Sequence, residues 1–176
     1  EASVVFEDNS EKTICAKQII IATGSAPAVP PIPGFDLPGV IGSREALELP
    51  SIPQKLLIVG GGIIGVEFAG IFSSFGSDVT IVEFLPQILT SMDGEIAKRM
   101  EMELKRSRVK ILTSSQVTQI RSNEGKLTAT VAKGDKEDTY TVDTILIATG
   151  RRPNTEGLGL KEAGIEFCQK SGIRVD

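Results

Sequence analysis

The apolar run Leu56-Leu57-Ile58-Val59 leads directly into Gly60-Gly61-Gly62-Ile63-Ile64-Gly65, and no other feature constrains the chain as much. A buried strand that enters a glycine loop and leaves it as a helix is the opening of a βαβ unit. Each glycine has a separate physical reason. Gly60 permits the tight turn off the strand, Gly62 has no side chain to hold a ligand away, and Gly65 lets helix and strand approach closely. The following segment, 63–76, carries Ile64, Phe68, Ile71 and Phe75 at helical spacing, with Ala69 and Gly70 small enough for close contact. Gly76-Ser77 ends the helix, and Val79-Thr80-Ile81-Val82 reads as a second buried strand. Glu83 closes that strand, eighteen residues after Gly65. Strand, loop, helix, strand and acidic stop together form a dinucleotide-binding fingerprint. The free N–H groups of the helix start face a pyrophosphate, and Glu83 is placed to accept hydrogen bonds from the adenosine ribose hydroxyls. A 2′-phosphate there would meet a carboxylate, so NAD is expected over NADP.

Composition narrows the remaining possibilities. The 176 residues are 40% hydrophobic and carry a net charge of −4 with a pI near 5.0, which suits a globular protein and argues against nucleic acid as a partner. No membrane-spanning segment or signal peptide is visible, so no membrane partner is expected. The opening residues, Glu1-Ala2-Ser3-Val4-Val5, look like the middle of a strand, which suggests a fragment of a longer protein. Histidine is absent, removing the commonest general base, the usual zinc ligand and every Ser-His or Cys-His nucleophile arrangement. Cys15 and Cys168 belong to no CxxC or metal-ligand pattern and read as reduced core or edge residues. Neither a catalytic residue nor a metal site is therefore assigned.

Along the chain, segments 4–7 and 13–22 are strand-like and joined by a polar turn at Asp8-Asn9-Ser10. Seven of the nine prolines fall between Pro27 and Pro53, which predicts an extended connector with a short helix near 43–47. Asp93 caps a second helix reaching about residue 108, with Ile96, Ala97, Met100 and Leu104 as its apolar face. The basic cluster Lys105, Arg106 and Arg108 sits where cations offset the helix dipole, and it is read as a solvated end. Segment 109–112 is a third parallel-strand candidate, and 116–121, 127–132 and 139–142 read as an antiparallel meander. Thr144-Ile145-Leu146-Ile147-Ala148-Thr149-Gly150 is a further buried strand, and its final Ile-Ala-Thr-Gly repeats Ile21-Ala22-Thr23-Gly24. Two such endings suggest two related sheets. The fold class expected is α/β, a Rossmann-like parallel sheet flanked by helices and an antiparallel β-meander, of the FAD/NAD(P)-binding domain type.

With these residues in place, the chain resembles the pyridine-nucleotide-disulfide oxidoreductases, and within them the dihydrolipoamide dehydrogenase branch. The resemblance covers essentially the whole chain. It rests on Ala22-Thr23-Gly24-Ser25, on Gly60 through Val66 and Glu67, on Val82-Glu83, and on Ala148-Thr149-Gly150-Arg151-Arg152-Pro153-Asn154. The glutathione reductase branch tends to carry Tyr at the position of Ile63, Ala at that of Gly65 and a basic residue near Glu83; this chain has the NAD-type residue at all three.

The resemblance implies a parent with a flavin domain, an inserted NAD domain and a C-terminal dimerisation domain, hence a homodimer. Residues 1–50 would be the tail of the flavin domain and a proline-rich connector, 51–150 the NAD domain, and 151–176 the return to the flavin domain. Thr23, Gly24 and Ser25 would line an FAD site. Gly60, Gly61, Gly62, Ile63, Ile64, Gly65, Val66, Glu67, Glu83, Val117 and Gly150 would line the NAD site, with Val117 against the adenine and Gly150 near the nicotinamide. Glu67 would approach the flavin and pair with a lysine; read without the resemblance, it is a carboxylate favourably placed in the first turns of a helix.

The expected activity of the parent is dihydrolipoamide oxidation by NAD⁺ through FAD, in the cytoplasm or the mitochondrial matrix. The FAD-binding glycine loop, the redox-active cysteine pair and the histidine–glutamate pair of such enzymes have no counterpart in these residues, so the chain by itself is expected to bind nucleotide without turning over. The alternatives are an NADH oxidase, a coenzyme A disulfide reductase, a mercuric reductase, or a non-enzymatic nucleotide-sensing module. The helix end Ser107-Arg108-Val109 also lacks the glycine many relatives place there, which leaves the shape of that turn open.

Overall fold

A computed structural model describes residues 1–176. In chain order the elements are β1 (Ala2–Val5), β2 (Glu11–Ile14), β3 (Ser25–Pro27), β4 (Val40–Ile41), α1 (Ser43–Leu47), β5 (Lys55–Val59) and α2 (Ile63–Ser74). Then follow β6 (Asp78–Val82), α3 (Gly94–Arg106), β7 (Lys110–Leu112), β8 (Gln116–Asn123), β9 (Lys126–Lys133), β10 (Lys136–Val142) and β11 (Thr144–Ile147). The last three are β12 (Arg151–Pro153), β13 (Phe167–Cys168) and β14 (Gly172–Ile173). These elements fall into two compact units, one of Glu1–Ser25 with Pro153–Asp176 and one of Ala26–Arg152.

The unit Ala26–Arg152 is built on a five-stranded sheet in the order β4-β11-β5-β6-β7, with every pairing parallel. Parallel central strands must be covered on both faces, and the sequence meets that demand with unbroken apolar runs. Leu56, Ile58, Val79, Ile81 and Leu146 point to one side, where they pack with Phe68, Ala69 and Phe72 of α2 and Ala97 and Leu104 of α3. Leu57, Val59, Val82, Ile145 and Ile147 point to the other, against Ile120, Leu127, Ala129 and Val131 of the antiparallel meander β10-β9-β8. The α/β class, the parallel sheet and the meander thus agree with the expectation.

Two helix faces differ from those read in the periodicity. In α2 the buried residues are Gly65, Val66, Phe68, Ala69 and Phe72, while Ile71 and Phe75 are 44% and 62% exposed. The cause is Gly65. A Cβ there would strike the Gly60 carbonyl, so the helix presses its Gly65–Phe68–Ala69–Phe72 side to the sheet and turns Ile71 and Phe75 outward. In α3, Ala97 and Leu104 are buried but Ile96 is 59% exposed and Met100 is also exposed. The proline-rich stretch also does more than connect. Ile32 is buried against the meander side of the sheet, the Pro33 carbonyl accepts the Ile120 N–H at 2.9 Å, and β4 is an edge strand of the sheet.

In the unit of Glu1–Ser25 and Pro153–Asp176, β1 and β2 form a hairpin turning at Asn9 (φ 62°), and β13 and β14 form a second. The Thr23 hydroxyl donates to the Asn154 carbonyl at 2.7 Å, and the Asn154 side-chain amide donates to the Thr23 carbonyl at 3.0 Å. The strand expected over 13–22 ends at Ile14. Ile19, Ile20 and Ile21 lie in unpaired backbone, and Ile20 is 91% exposed. An apolar run becomes a strand only where neighbouring strands satisfy its N–H and C=O groups. The second Ile-Ala-Thr-Gly has such neighbours, since β11 lies between β4 and β5; the first has no neighbouring strand among these 176 residues.

Candidate functional site

The carboxyl ends of β5, β6 and β11 bound one cavity of about 740 Å³ within the Ala26–Arg152 unit. In open parallel sheets this is the edge where ligands bind, because there the strands give way to loops and helix N-termini. The β5 end supplies Gly60 and Gly62, the β6 end Glu83, and the β11 end Thr149 and Gly150. Val117 of β8 closes the meander side and is itself buried.

The glycine loop is shaped by close packing. Gly60 has φ 111°, a conformation L side chains rarely adopt, and a Cβ on it would run into the Ala148 carbonyl. Gly62 is different: its Cβ would meet nothing within 4 Å. The space over Gly62 is therefore free for a ligand. As N-cap of α2, Gly62 also has no side chain to satisfy the helix start. The first N–H groups of a helix have no intrahelical partner, and here they lie beside the cavity with the helix dipole behind them. Uncapped donors, room above the glycine and a cavity of this size fit the pyrophosphate half of a dinucleotide.

Glu83 is tied to the loop by its side chain. One carboxylate oxygen accepts the Gly61 N–H at 2.5 Å and the other the Leu85 N–H at 2.7 Å. A carboxylate offers about four acceptor positions, so two remain for ligand hydroxyls.

The cavity gathers seven of the expected NAD-site residues: Gly60, Gly62, Ile63, Ile64, Glu83, Val117 and Gly150. Gly61, Gly65 and Val66 are buried behind it as supports, and Glu67 is exposed on α2 without lining it. Thr23, Gly24 and Ser25 belong to the other unit, apart from the cavity lining.

The sequence reading overlooked several lining residues, chiefly Ile32, Phe84, Thr90, Ser91 and Gln116. Thr90 and Ser91 reach the cavity because the loop after β6 folds back, with the Leu89 N–H donating to the Gly61 carbonyl at 2.8 Å. No periodicity records that return; the positive φ of Leu89 (51°) that it uses falls on a residue type giving no warning of it. The basic helix end is surface structure, as expected: Lys105 pairs with Glu101 and Arg106 with Glu103, each at 2.6 Å. The structure contains no cluster of His, Cys, Asp and Glu that could hold a metal, and no helix long and apolar enough to cross a membrane. Cys15 and Cys168 are free and exposed rather than core residues.

Comparison with known proteins points the same way as the geometry. The family model described as pyridine nucleotide-disulphide oxidoreductase matches residues 1–176. The mitochondrial dihydrolipoyl dehydrogenase of Dictyostelium discoideum is 41% identical over 176 residues, covering 98% of this chain and 36% of that protein. The dihydrolipoyl dehydrogenase of Bacillus subtilis is 37% identical over 177 residues, covering 100% of this chain and 38% of that one. Among solved structures, the Cu(II) complex of an HOCl-induced flavoprotein disulfide reductase from Escherichia coli superposes with a TM-score of 0.87 at 36% identity, over 99% of this chain and 38% of that chain. The chain thus spans a little over a third of the length of these relatives.

Proposed function

The chain belongs to the pyridine nucleotide-disulphide oxidoreductases, and within that family we propose that it is the NAD(H)-binding part of a dihydrolipoamide dehydrogenase. The observation that carries the reading is the Glu83 carboxylate, held beside the uncapped start of α2 at the carboxyl edge of the parallel sheet. The NAD domain is the unit Ala26–Arg152, in which residues 26–50 add the edge strand β4 to the fold of 51–150; Glu1–Ser25 and Pro153–Asp176 are the links to a flavin domain, and Thr23, Gly24 and Ser25 line the FAD site of the parent.

The nicotinamide supplies hydride acceptance, and the chain's own residues bind and orient. The N–H groups at the start of α2 hold the pyrophosphate, which the space over Gly62 admits. The free acceptor positions of Glu83 take the adenosine ribose hydroxyls. Val117 lies along the adenine and Gly150 beside the nicotinamide half. Glu67, exposed on α2, faces the flavin side of the parent. In the parent, the residues of this chain would hold the nucleotide where flavin chemistry could supply it with a hydride, contributing position and electrostatics. The chain alone binds nucleotide but does not turn over, and the parent is a homodimer acting in the cytoplasm or mitochondrial matrix.

Calorimetric titration of the 176-residue chain with NADH and NADPH tests the reading. NADH is expected to bind at least about tenfold more tightly, a difference of about 1.4 kcal/mol. Glu83→Arg is expected to move the preference toward NADPH. Tighter NADPH binding by the unaltered chain would overturn the assignment to the NAD-linked branch.

A further inference from the structure

We propose that Glu83 also positions the glycine-rich loop, and so controls how the phosphate part of a nucleotide binds as well as the ribose part. The inference rests on the nucleotide-site reading and extends it to the chain's own contacts.

Three hydrogen bonds join residues 60–61 to the segment 82–89. Gly60 N–H donates to the Val82 carbonyl at 2.8 Å, and Leu89 N–H donates to the Gly61 carbonyl at 2.8 Å. The third, from Gly61 N–H to Glu83 at 2.5 Å, is the one that uses a side chain. The loop is also packed against that side chain: a Cβ on Gly61 would lie 3.1 Å from the Glu83 Cβ and 2.8 Å from Ile88 Cγ2. The other carboxylate oxygen holds Leu85 N–H, at the start of the segment that returns to line the cavity through Thr90 and Ser91. One side chain thus bridges the first glycine turn and the opposite wall.

The arrangement also explains how a carboxylate is tolerated next to a pyrophosphate site. Two backbone N–H groups point at it and offset part of its charge, as charge-assisted hydrogen bonds do. Remove the carboxylate, and Gly61 N–H loses its acceptor, while the Glu83 Cβ and Ile88 still pack against the loop. The N–H groups of Gly62 and Ile63 follow Gly61 in the chain, so their aim at a phosphate depends on that anchor.

The test separates ribose reading from loop positioning by deleting each partner in turn. The chain is titrated with ADP and with 2′,3′-dideoxyadenosine diphosphate, which keeps the phosphates but lacks both ribose hydroxyls. Wild type is expected to bind both, ADP more tightly. Glu83→Ala is expected to weaken the dideoxy nucleotide at least about tenfold and to bring the two affinities together. Glu83→Gln keeps one acceptor for Gly61 N–H and is expected to hold the dideoxy nucleotide to within about threefold of wild type. Amide exchange supplies a readout without ligand: Gly61 and Leu85 should exchange faster in Glu83→Ala while β5 and β6 stay protected. If Glu83→Ala weakens ADP but leaves the dideoxy nucleotide unchanged, Glu83 reads only ribose and the positioning role is wrong. If the wild-type chain binds neither ligand, the nucleotide-site reading itself fails.

Discussion

Helices α2 and α3 end in the same backbone motif, with different residues at its left-handed position. After α2 that residue is Gly76 (φ 93°), with Gly76 N–H donating to Ser73 O at 3.1 Å and Ser77 N–H to Phe72 O at 3.0 Å. After α3 it is Arg108 (φ 65°), with Arg108 N–H donating to Lys105 O and Val109 N–H to Leu104 O, both at 3.0 Å. This is the Schellman closure, which satisfies the last carbonyls and normally uses glycine. A side chain in the left-handed region costs roughly 1–2 kcal/mol. Replacing glycine stiffens the unfolded chain and returns about 0.4–1 kcal/mol. A Cβ on Gly76 would meet nothing within 4 Å, so only the backbone cost applies. Gly76→Ala should therefore destabilise by about 1 kcal/mol. Arg108→Gly should stabilise by about 0.5 kcal/mol, less because an arginine at a helix C-terminus also offsets the dipole. Urea melts followed by circular dichroism at the helical band report on Ala26–Arg152, since α1, α2 and α3 all lie there. At this size 1 kcal/mol corresponds to about 2–4 °C in Tm. A neutral Gly76→Ala, or an Arg108→Gly that lowers the midpoint, would show that these turns are not held in the left-handed conformation.

Within the glycine loop, Gly60→Ala is expected to cost more than about 2 kcal/mol, because its Cβ meets the Ala148 carbonyl. Gly62→Ala should stay within about 1 kcal/mol of wild type, yet weaken NADH binding; denaturation and titration of both variants check the contrast. Asp143 is held below its ordinary 3.8 chiefly by the Lys126 ammonium, with the Lys55 N–H as second cause. Its folded value is the lower one, so its stabilising effect is full above the unfolded value and is lost as pH falls through the folded one. Asp143→Asn should flatten that acid limb in melts taken below about pH 4, and an unchanged limb would disprove the pairing. The N–H of Ser171, then that of Lys170, lowers the exposed Cys168 thiol from 9.0 to about 7. Alkylation at Cys168 should accordingly rise with a midpoint near pH 7, and a midpoint near 9 would contradict the hairpin geometry.

Local physics made much of the unit Ala26–Arg152 legible without coordinates. Leu56-Leu57-Ile58-Val59 is apolar on both faces, so it had to be a central parallel strand, and the glycines after it had to be a turn into a helix. The short helix at Ser43–Leu47 and the Asp93 cap of α3 are similarly written in adjacent residues; Asp93 accepts the Glu95 N–H at 2.9 Å. Tertiary structure decided what those segments touch. Spacing alone allowed Ile71 and Phe75 to be core, and the close approach of Gly65 to Gly60 turned them outward. Ile21-Ala22-Thr23-Gly24 and Ile147-Ala148-Thr149-Gly150 are identical as text. One closes a strand flanked by β4 and β5, while the other has no neighbouring strand among these residues and its Thr23 and Gly24 carbonyls are met by Asn154, because a strand's hydrogen bonds are made with neighbours the sequence does not name. Glu83 shows both levels at once. Its position after the second strand marked it for a nucleotide, but its hold on Gly61 and Leu85 arises only when the fold brings residues 61 and 83 together.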